Sequence, residues 1–134
     1  MSKLTLISSA TASNSPSVEF TSGIDSTYDE YVFYFVDVNP ATDGVNFEFQ
    51  VNATDSSGYD RTMTTTFFRA FNYQNGSNAG LGYEAAEDQA EGTAFQSLSS
   101  ALGNGADKST AGGLHLFNPS STTYVKQFYS RMDQ

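Results

Sequence analysis

The clearest periodic pattern in the chain lies at residues 45–51, where apolar and polar side chains alternate. The apolar members are Val45, Phe47, Phe49 and Val51, and a polar residue separates each from the next. Alternation with a period of two places one row of side chains on each face of a β-strand. The pattern therefore predicts a strand that turns one face toward the core.

Residues 31–38 are nearly all β-branched or aromatic. Such a run is typical of a central strand that is buried on both faces, or half-buried with aromatic rings on its outer face. The strand is predicted to stop at Asn39-Pro40, because proline cannot continue the hydrogen-bond ladder. Only residues 39–44 separate it from the alternating strand, so we expect the two strands to pair as an antiparallel hairpin.

Further strands are predicted where short runs of β-type residues lie between turn signals. These runs cover residues 4–7, 18–21, 63–73, 114–117 and 124–129. The Asn75-Gly76 dipeptide favours a tight hairpin after the third run, and Asn118-Pro119 predicts a turn before the last.

Two segments are ambiguous. Residues 83–92 fit either a single helical piece or a pair of polar strands, because they carry no apolar stripe. Phe95, Leu98 and Leu102 approach helical spacing, although glycines crowd them.

Short strands that are separated by turns every dozen residues or so suggest two packed sheets. We therefore predict an all-β fold, an antiparallel β-sandwich that is jelly-roll-like, with at most one short helix. The 134 residues suit a single domain over 1–134, with residues 1–3 expected to form a flexible N-terminal arm. The last strand runs abruptly into residues 131–134, so we expect its edge to be left for another chain to cover.

Composition and charge exclude several classes of function. The chain has a net charge of -9, and its 6 basic residues are scattered, so nucleic-acid binding and attraction to anionic membranes are disfavoured. Without cysteine there are no disulfides, thiolate zinc sites or thiol nucleophiles, and the single His115 cannot form a multi-histidine metal site. The apolar run at 4–7 is too short for a signal peptide core or a membrane span.

Few side chains are candidates for catalysis or metal binding. His115 lies between two leucines without a Ser-His-Asp or nucleophile-elbow motif, which favours a structural or surface role over catalysis or pH sensing. The turn with Asp25, Asp29 and Glu30 is interpreted as solvated and not as a glycosidase carboxylate pair. Residues 37–44 space oxygen ligands as a calcium loop does but lack its bidentate glutamate, so a plain turn is favoured and surface calcium stays open. We predict no enzyme, no cofactor and no metal ligand.

Five tyrosines near strand ends or loops are the candidate contact residues: Tyr28, Tyr31, Tyr59, Tyr73 and Tyr83. A ring with one polar end suits the border of a protein interface. Anchoring of protein contacts is therefore the favoured interpretation. A platform that stacks on sugars is the alternative, and it requires tyrosine rings that are exposed.

Three segments, residues 7–15, 24–31 and 116–121, carry a resemblance to a known group of proteins. Over residues 5–130 the chain resembles proteins that are common in marine tailed-phage genomes and are uncharacterised or described as virion, tail or fibre components. Some members of the group continue past the position of Gln134, so the last sheet is expected to be incomplete.

The resemblance implies a virion structural protein, either a decoration element of the capsid or a part of the tail or its fibres. Such a protein would be assembled in the host cytoplasm, would dock on other virion proteins and would form a homo-oligomer, with a trimer as one option. A carbohydrate- or receptor-binding module of a tail fibre is the alternative. The resemblance transfers no site residue.

Overall fold

The computed structural model describes residues 3–134, which form seven β-strands and one short 3-10 helix. In chain order they are β1 (Glu30–Val38), β2 (Val45–Phe49), β3 (Phe68–Asn72), β4 (Ala79–Tyr83), the 3-10 helix (Ala85–Glu87), β5 (Gln96–Leu102), β6 (Thr110–Phe117) and β7 (Gln127–Asp133). They build three antiparallel sheets with the orders β1-β6-β7, β2-β5 and β3-β4. This confirms the predicted all-β class, whereas the jelly-roll order stays a prediction.

Two of the predictions concern the N-terminus and the membrane. Of the predicted arm, residues 1 and 2 lie outside the described residues, and Lys3 is exposed. Within residues 3–134, no helix is long and apolar enough to cross a membrane.

The three-stranded sheet has one apolar inner face. β1 pairs with β6 so that Phe33 lies opposite Leu114, and β6 pairs with β7 so that Leu116 lies opposite Phe128. Leu114 is 0% and Leu116 6% exposed. His115 projects from the other face, as strand alternation predicts.

The β2-β5 sheet packs on this inner face through aromatic rings. Phe47 and Phe49 are half-buried while Asn46 and Glu48 face outward, which confirms the predicted alternation over residues 45–49. Gln50, predicted to lie on the polar face, is instead buried. Phe35 meets Phe47 edge to face at 5.0 Å between ring centroids, and Phe49 meets Phe128 at 5.3 Å. Such pairs add attraction beyond the area they hide, so the two sheets form a sandwich-like pair.

The core between these sheets is small. Its buried members are Leu98, Leu114 and Leu116. Six larger side chains surround them and are only partly buried: Phe33, Phe35, Phe47, Phe49, Phe128 and Met132. The inner faces are therefore incompletely covered by the chain itself.

Two buried glutamines hold the long connections to β5. The Gln50 amide nitrogen lies 3.0 to 3.2 Å from the carbonyl oxygens of Arg61, Thr93 and Ala94. The Gln96 amide donates to the Glu87 carbonyl at 3.0 Å. Because buried carbonyls are costly without a donor, these amides fix loops that have little secondary structure.

The β3-β4 hairpin confirms the predicted Asn-Gly turn. Gly76 has φ 69°, a left-handed conformation that glycine adopts without strain. The Tyr73 N–H donates to the Asn78 carbonyl at 2.8 Å and closes the turn.

The predicted β1-β2 hairpin is wrong, because β1 pairs with β6 and β2 with β5. Asp37 takes a left-handed φ of 51° at the bulge between Phe35 and Val38. The Asn39 side chain then donates to the carbonyls of Gly105 and Lys108. These contacts turn the chain from one sheet into the other, so residues 39–44 form a crossover.

Several predicted strand bounds also change. Residues 4–7 and 18–21 are not strands, since neither run pairs with another strand among the residues that the structure describes. The run at 63–73 is a strand only over Phe68–Asn72. The last strand begins at Gln127 instead of residue 124 and continues to Asp133. In the ambiguous 83–92 segment, Tyr83 ends β4, Ala85–Glu87 form the 3-10 helix and Gly92 makes an isolated bridge with Met63. Residues 96–102 form β5 instead of a helix.

Candidate functional site

The five candidate tyrosines do not form one surface. Tyr28 and Tyr31 lie together where the chain enters β1, with ring centroids 5.8 Å apart. Tyr73 and Tyr83 belong to the β3-β4 hairpin, and Tyr59 lies half-buried in the loop between β2 and β3. The structure therefore divides them among three regions.

Tyr31 is a structural residue in this chain. It is 4% exposed, and its hydroxyl donates to the Asp25 carboxylate at 3.1 Å while it accepts from the Asp25 N–H at 3.0 Å. Hydrogen bonds from Thr27, and then from Tyr31, hold the pKa of Asp25 below its ordinary value. A carboxylate stabilised in this way accepts hydrogen bonds and is a poor general acid.

One face of the β3-β4 hairpin exposes large apolar side chains that the sequence analysis did not select as contact candidates. Phe68 is 69%, Leu81 83% and Tyr83 54% exposed, and Phe68 lies opposite Tyr83 in the register. Ala70 and Ala79 lie on the same face, and Asn72, opposite Ala79, ends it beside the turn. We call Phe68, Ala70, Ala79, Leu81 and Tyr83 the hairpin face, and none of these five residues is charged.

The opposite side of the hairpin carries its charge. Arg69 lies 2.8 Å from the Glu84 carboxylate and 4.8 Å from the centroid of the Phe71 ring. Tyr83 donates its hydroxyl to the Asp88 carboxylate, and this hydrogen bond raises the pKa of Tyr83. The Asp88 carboxylate thus fixes the Tyr83 ring at the border of the hairpin face, while the Arg69–Glu84 ion pair lies on the opposite side.

The outer face of the β1-β6-β7 sheet carries a row of stacked rings. His115 and Tyr129 lie 4.5 Å apart with planes 8° from parallel, and Phe117 lies 6.0 Å from Tyr129. The Glu30 carboxylate is 2.6 Å from His115 Nδ1, which fixes the imidazole ring. Each stacked pair covers one face of its two rings, although Tyr129 remains 54% exposed.

A shallow pocket of about 220 Å³ lies between residues 26–29 and residues 118–121. It is lined by Ser26, Tyr28, Asp29, Asn118, Ser120 and Ser121. The Asn118 N–H donates to the Asp29 carbonyl at 2.7 Å and holds the two segments together. The pocket is smaller than the several hundred Å³ that ligand sites commonly have.

The part of the chain that the structure describes has no cluster of side chains suited to bind a metal ion. Residues 3–134 contain no group of three or more His, Cys, Asp or Glu side chains that could hold a metal ion. The calcium-like segment at 37–44 forms the crossover between the two sheets.

The chain exposes much more surface than a compact protein of its mass. Its accessible surface is 9927 Å², whereas a compact monomer of 14.5 kDa is expected to expose about 6900 Å². Residues 3–22 and the half-buried inner-face residues Phe33, Phe35, Phe128 and Met132 border one continuous cleft that is open to solvent. Part of the apolar inner face is therefore left uncovered by the chain.

Comparisons with protein-family models, with curated proteins and with solved structures found no match to this chain.

Proposed function

We propose that this chain is a structural subunit that docks into a larger protein assembly, of the phage virion class that its sequence resembles. The carrying observation is the surplus of about 3000 Å² of accessible surface over a compact monomer. A standard interface hides about 800 Å² on each partner. The surplus is therefore several times the area that one partner hides in a standard interface.

The chemistry of the exposed faces supports a protein partner. The chain has a net charge of -9, yet the hairpin face is uncharged and its exposed side chains are aromatic or aliphatic. Interface cores are poor in charge and rich in aromatic rings. A lattice of protein subunits suits this combination, since the acidic remainder of the surface keeps the free subunit soluble.

The shape of the hairpin also supports docking. β3 and β4 pair with each other and with no other strand, and an isolated two-stranded hairpin is marginally stable in water. Covering its exposed rings with a partner would stabilise it by hiding apolar area. On a particle, many copies that each make a weak contact would add up to firm attachment.

The virion assignment is tested on particles of a phage that encodes this chain. Quantitative mass spectrometry and cryo-electron microscopy of purified particles are expected to find the chain in many copies, on the capsid or in the tail. A chain that is abundant in infected cells and absent from purified particles contradicts the assignment.

The hairpin face is tested with a matched pair of variants. Leu81→Asp places a charge on the face, whereas Ser77→Asp places the same charge at the hairpin turn. Burying an unpaired carboxylate costs several kcal/mol, so Leu81→Asp is expected to lower incorporation into particles at least about tenfold while Ser77→Asp incorporates normally. Equal incorporation of the two variants would exclude the hairpin face as the docking surface.

Carbohydrate binding at a fibre tip is the second candidate, and the pocket beside Tyr28 favours it. The Tyr28 ring is 43% exposed and lies among hydroxyl, amide and carboxylate groups. Rings and polar groups together recognise sugars by stacking and hydrogen bonding. A glycan array is expected to show ligands that Tyr28→Ala loses and Tyr73→Ala retains. Binding that is indifferent to both changes removes this candidate.

A further inference from the structure

Within the N-terminal segment, residues 4–7 have the pattern of a β-strand but pair with no strand of the described residues 3–134. Residues 3–29 contain no strand or helix and are exposed except at Phe20 and Ile24, which are half-buried. Within this segment Leu4 is 68% and Leu6 83% exposed. Apolar side chains in alternate positions indicate a strand with one face meant for a core.

Residues 4–18 of this segment are uncharged within a strongly acidic protein. Residues 4–18 carry no charged side chain, and Lys3 precedes them, whereas the whole chain has a net charge of -9. Such a segment can approach a second acidic copy without the repulsion that its other surfaces would meet.

A matching acceptor lies at the end of the three-stranded sheet. β7 pairs with β6 along one edge, and no strand of the described chain pairs with its other edge. On the inner face, Phe128, Ser130 and Met132 are only half-buried and border the open cleft. An unpaired edge beside an unfilled apolar face is a ready template for an added strand.

We propose that residues 4–7 of one copy add to the free edge of β7 in a second copy as an antiparallel strand. One register satisfies both the apolar pattern and the charges. It sets Lys3 opposite Asp133, Leu4 opposite Met132 and Leu6 opposite Ser130. Side chains directly opposite each other share a face of the sheet, so both leucines turn to the inner face and fill the cleft.

This register is specific because a slip by one residue reverses the faces. With a shift of one position, Leu4 and Leu6 would point outward and leave the cleft unfilled. The proposed register also sets Thr5 opposite Arg131 on the outer face, where a hydroxyl is well solvated. Lys3 opposite Asp133 adds a cross-strand pair of opposite charges, which stabilises antiparallel strands.

The positions of arm and acceptor favour exchange between copies. Phe20 packs edge to face on Phe33 at 5.7 Å, so the segment is attached beside β1. In the order β1-β6-β7 the free edge of β7 is at the opposite side of the sheet. A donor on one side and an acceptor on the other form a head-to-tail contact, which closes into a ring or continues as a filament.

The natural absence of cysteine allows a clean cross-linking test. Two singly substituted proteins, Leu6→Cys and Ser130→Cys, are mixed and oxidised, because residues directly opposite in an antiparallel pair have Cα atoms at disulfide distance. The mixture is expected to form the mixed disulfide dimer at least about tenfold faster than Leu6→Cys mixed with Ser77→Cys at the hairpin turn. A second control, Ile7→Cys with Ser130→Cys, shifts the pair by one residue and is expected to react slowly.

Equal rates for the three mixtures would overturn the proposal. So would a chain carrying both Leu6→Cys and Ser130→Cys that closes only within itself while the mixture of single variants gives no dimer. Neither result bears on the presence of the chain in virions, which is measured on particles.

Sedimentation provides a test that needs no disulfide. Leu6→Asp would bury a carboxylate at the inner face, whereas Thr5→Asp would place it beside Arg131 outside. The wild-type chain and Thr5→Asp are expected to be oligomers and Leu6→Asp a folded monomer by circular dichroism. A wild-type chain that is monomeric at about 100 μM, well above the range of weak specific contacts, refutes the exchange.

Discussion

Two adjacent glycines in β6 have opposite environments, and exchanging each for alanine tests the register of the main sheet. A Cβ built on Gly112 would lie 2.1 Å from the Arg131 carbonyl oxygen and 2.7 Å from the Met132 sulfur. A Cβ on Gly113 would have the Phe33 carbonyl oxygen as its nearest neighbour, at 3.5 Å. The first contact is a clash with backbone, and the second is ordinary van der Waals contact.

The expected cost of Gly112→Ala follows from these distances. Because the clashing atom belongs to the backbone of β7, the two strands must separate by more than an ångström. Overpacking costs about 1 to 3 kcal/mol, and the loss of about two ladder hydrogen bonds adds about 1 kcal/mol each. We therefore expect Gly112→Ala to lower the free energy of unfolding by about 3 to 5 kcal/mol. Gly113→Ala is expected to leave it unchanged or raise it by up to about 1 kcal/mol, since alanine restricts the unfolded chain.

Urea unfolding measures the difference, followed by far-ultraviolet circular dichroism and tyrosine fluorescence. The chain has 8 tyrosines and no tryptophan, so the fluorescence signal comes from tyrosine alone. Protein concentration is held constant, because self-association would shift the midpoint. Ordinary surface substitutions change the free energy of unfolding by up to about 0.5 kcal/mol. If the free energies of unfolding of the two variants differ by no more than this, Gly112 is not packed closely against the backbone of β7.

Three further changes test other parts of the fold by the same unfolding measurement. Leu114→Ala removes a side chain that is 0% exposed and is expected to cost about 2 to 5 kcal/mol; a loss below about 1 kcal/mol would contradict its burial. Ala101→Gly relieves a left-handed φ of 56° and is expected to add about 1 kcal/mol; a loss would show that its conformation is not strained. Burial, and then the charge of Glu87, raise the pKa of Glu48 above its ordinary 4.5, so the ionised form is disfavoured in the folded chain. The ionised Glu48 carboxylate therefore lowers the free energy of unfolding as pH rises from 4.5 through the raised pKa. Glu48→Gln is expected to remove this part of the pH dependence. Identical stability-pH curves for the wild-type chain and Glu48→Gln would refute the raised pKa.

Local patterns predicted the strands that depend on local chemistry. The alternation at 45–51 and the β-branched run at 31–38 each gave a strand, within two residues at each end. The Asn75-Gly76 turn formed as predicted because it needs only a left-handed glycine and the adjacent strands. In each case the residues whose pattern made the prediction are the same residues that form the strand or turn.

Strand pairing could not be predicted in the same way, because it depends on distant contacts. The separation of β1 from β2 relies on the Asn39 side chain, whose carbonyl partners at Gly105 and Lys108 are far along the chain. β5 was not predicted as a strand, because its buried residues are not all apolar. Gln96, Ser97 and Ser99 are polar yet buried, so the strand lacks apolar alternation.

The candidate site was only partly predictable. Tyrosines near strand ends were selected as a group, but Tyr31 alternates inward and is held by Asp25, whereas Tyr83 alternates outward. Phe68 and Leu81 were missed, because a two-stranded hairpin leaves one face exposed whatever its composition. The available signal was the register implied by the Asn-Gly turn, which sets Phe68 opposite Tyr83.

The strand pattern at residues 4–7 remains without a partner in the isolated chain, and the energetics explain why that matters. A core of three buried leucines surrounded by half-buried rings hides little apolar area for a chain of 134 residues. Since apolar burial must offset the conformational entropy of every ordered residue, we expect such a chain to gain stability when other subunits cover its exposed apolar surface. In the strand exchange that we propose, the strand pattern at residues 4–7 would be satisfied by the β7 edge of a second copy.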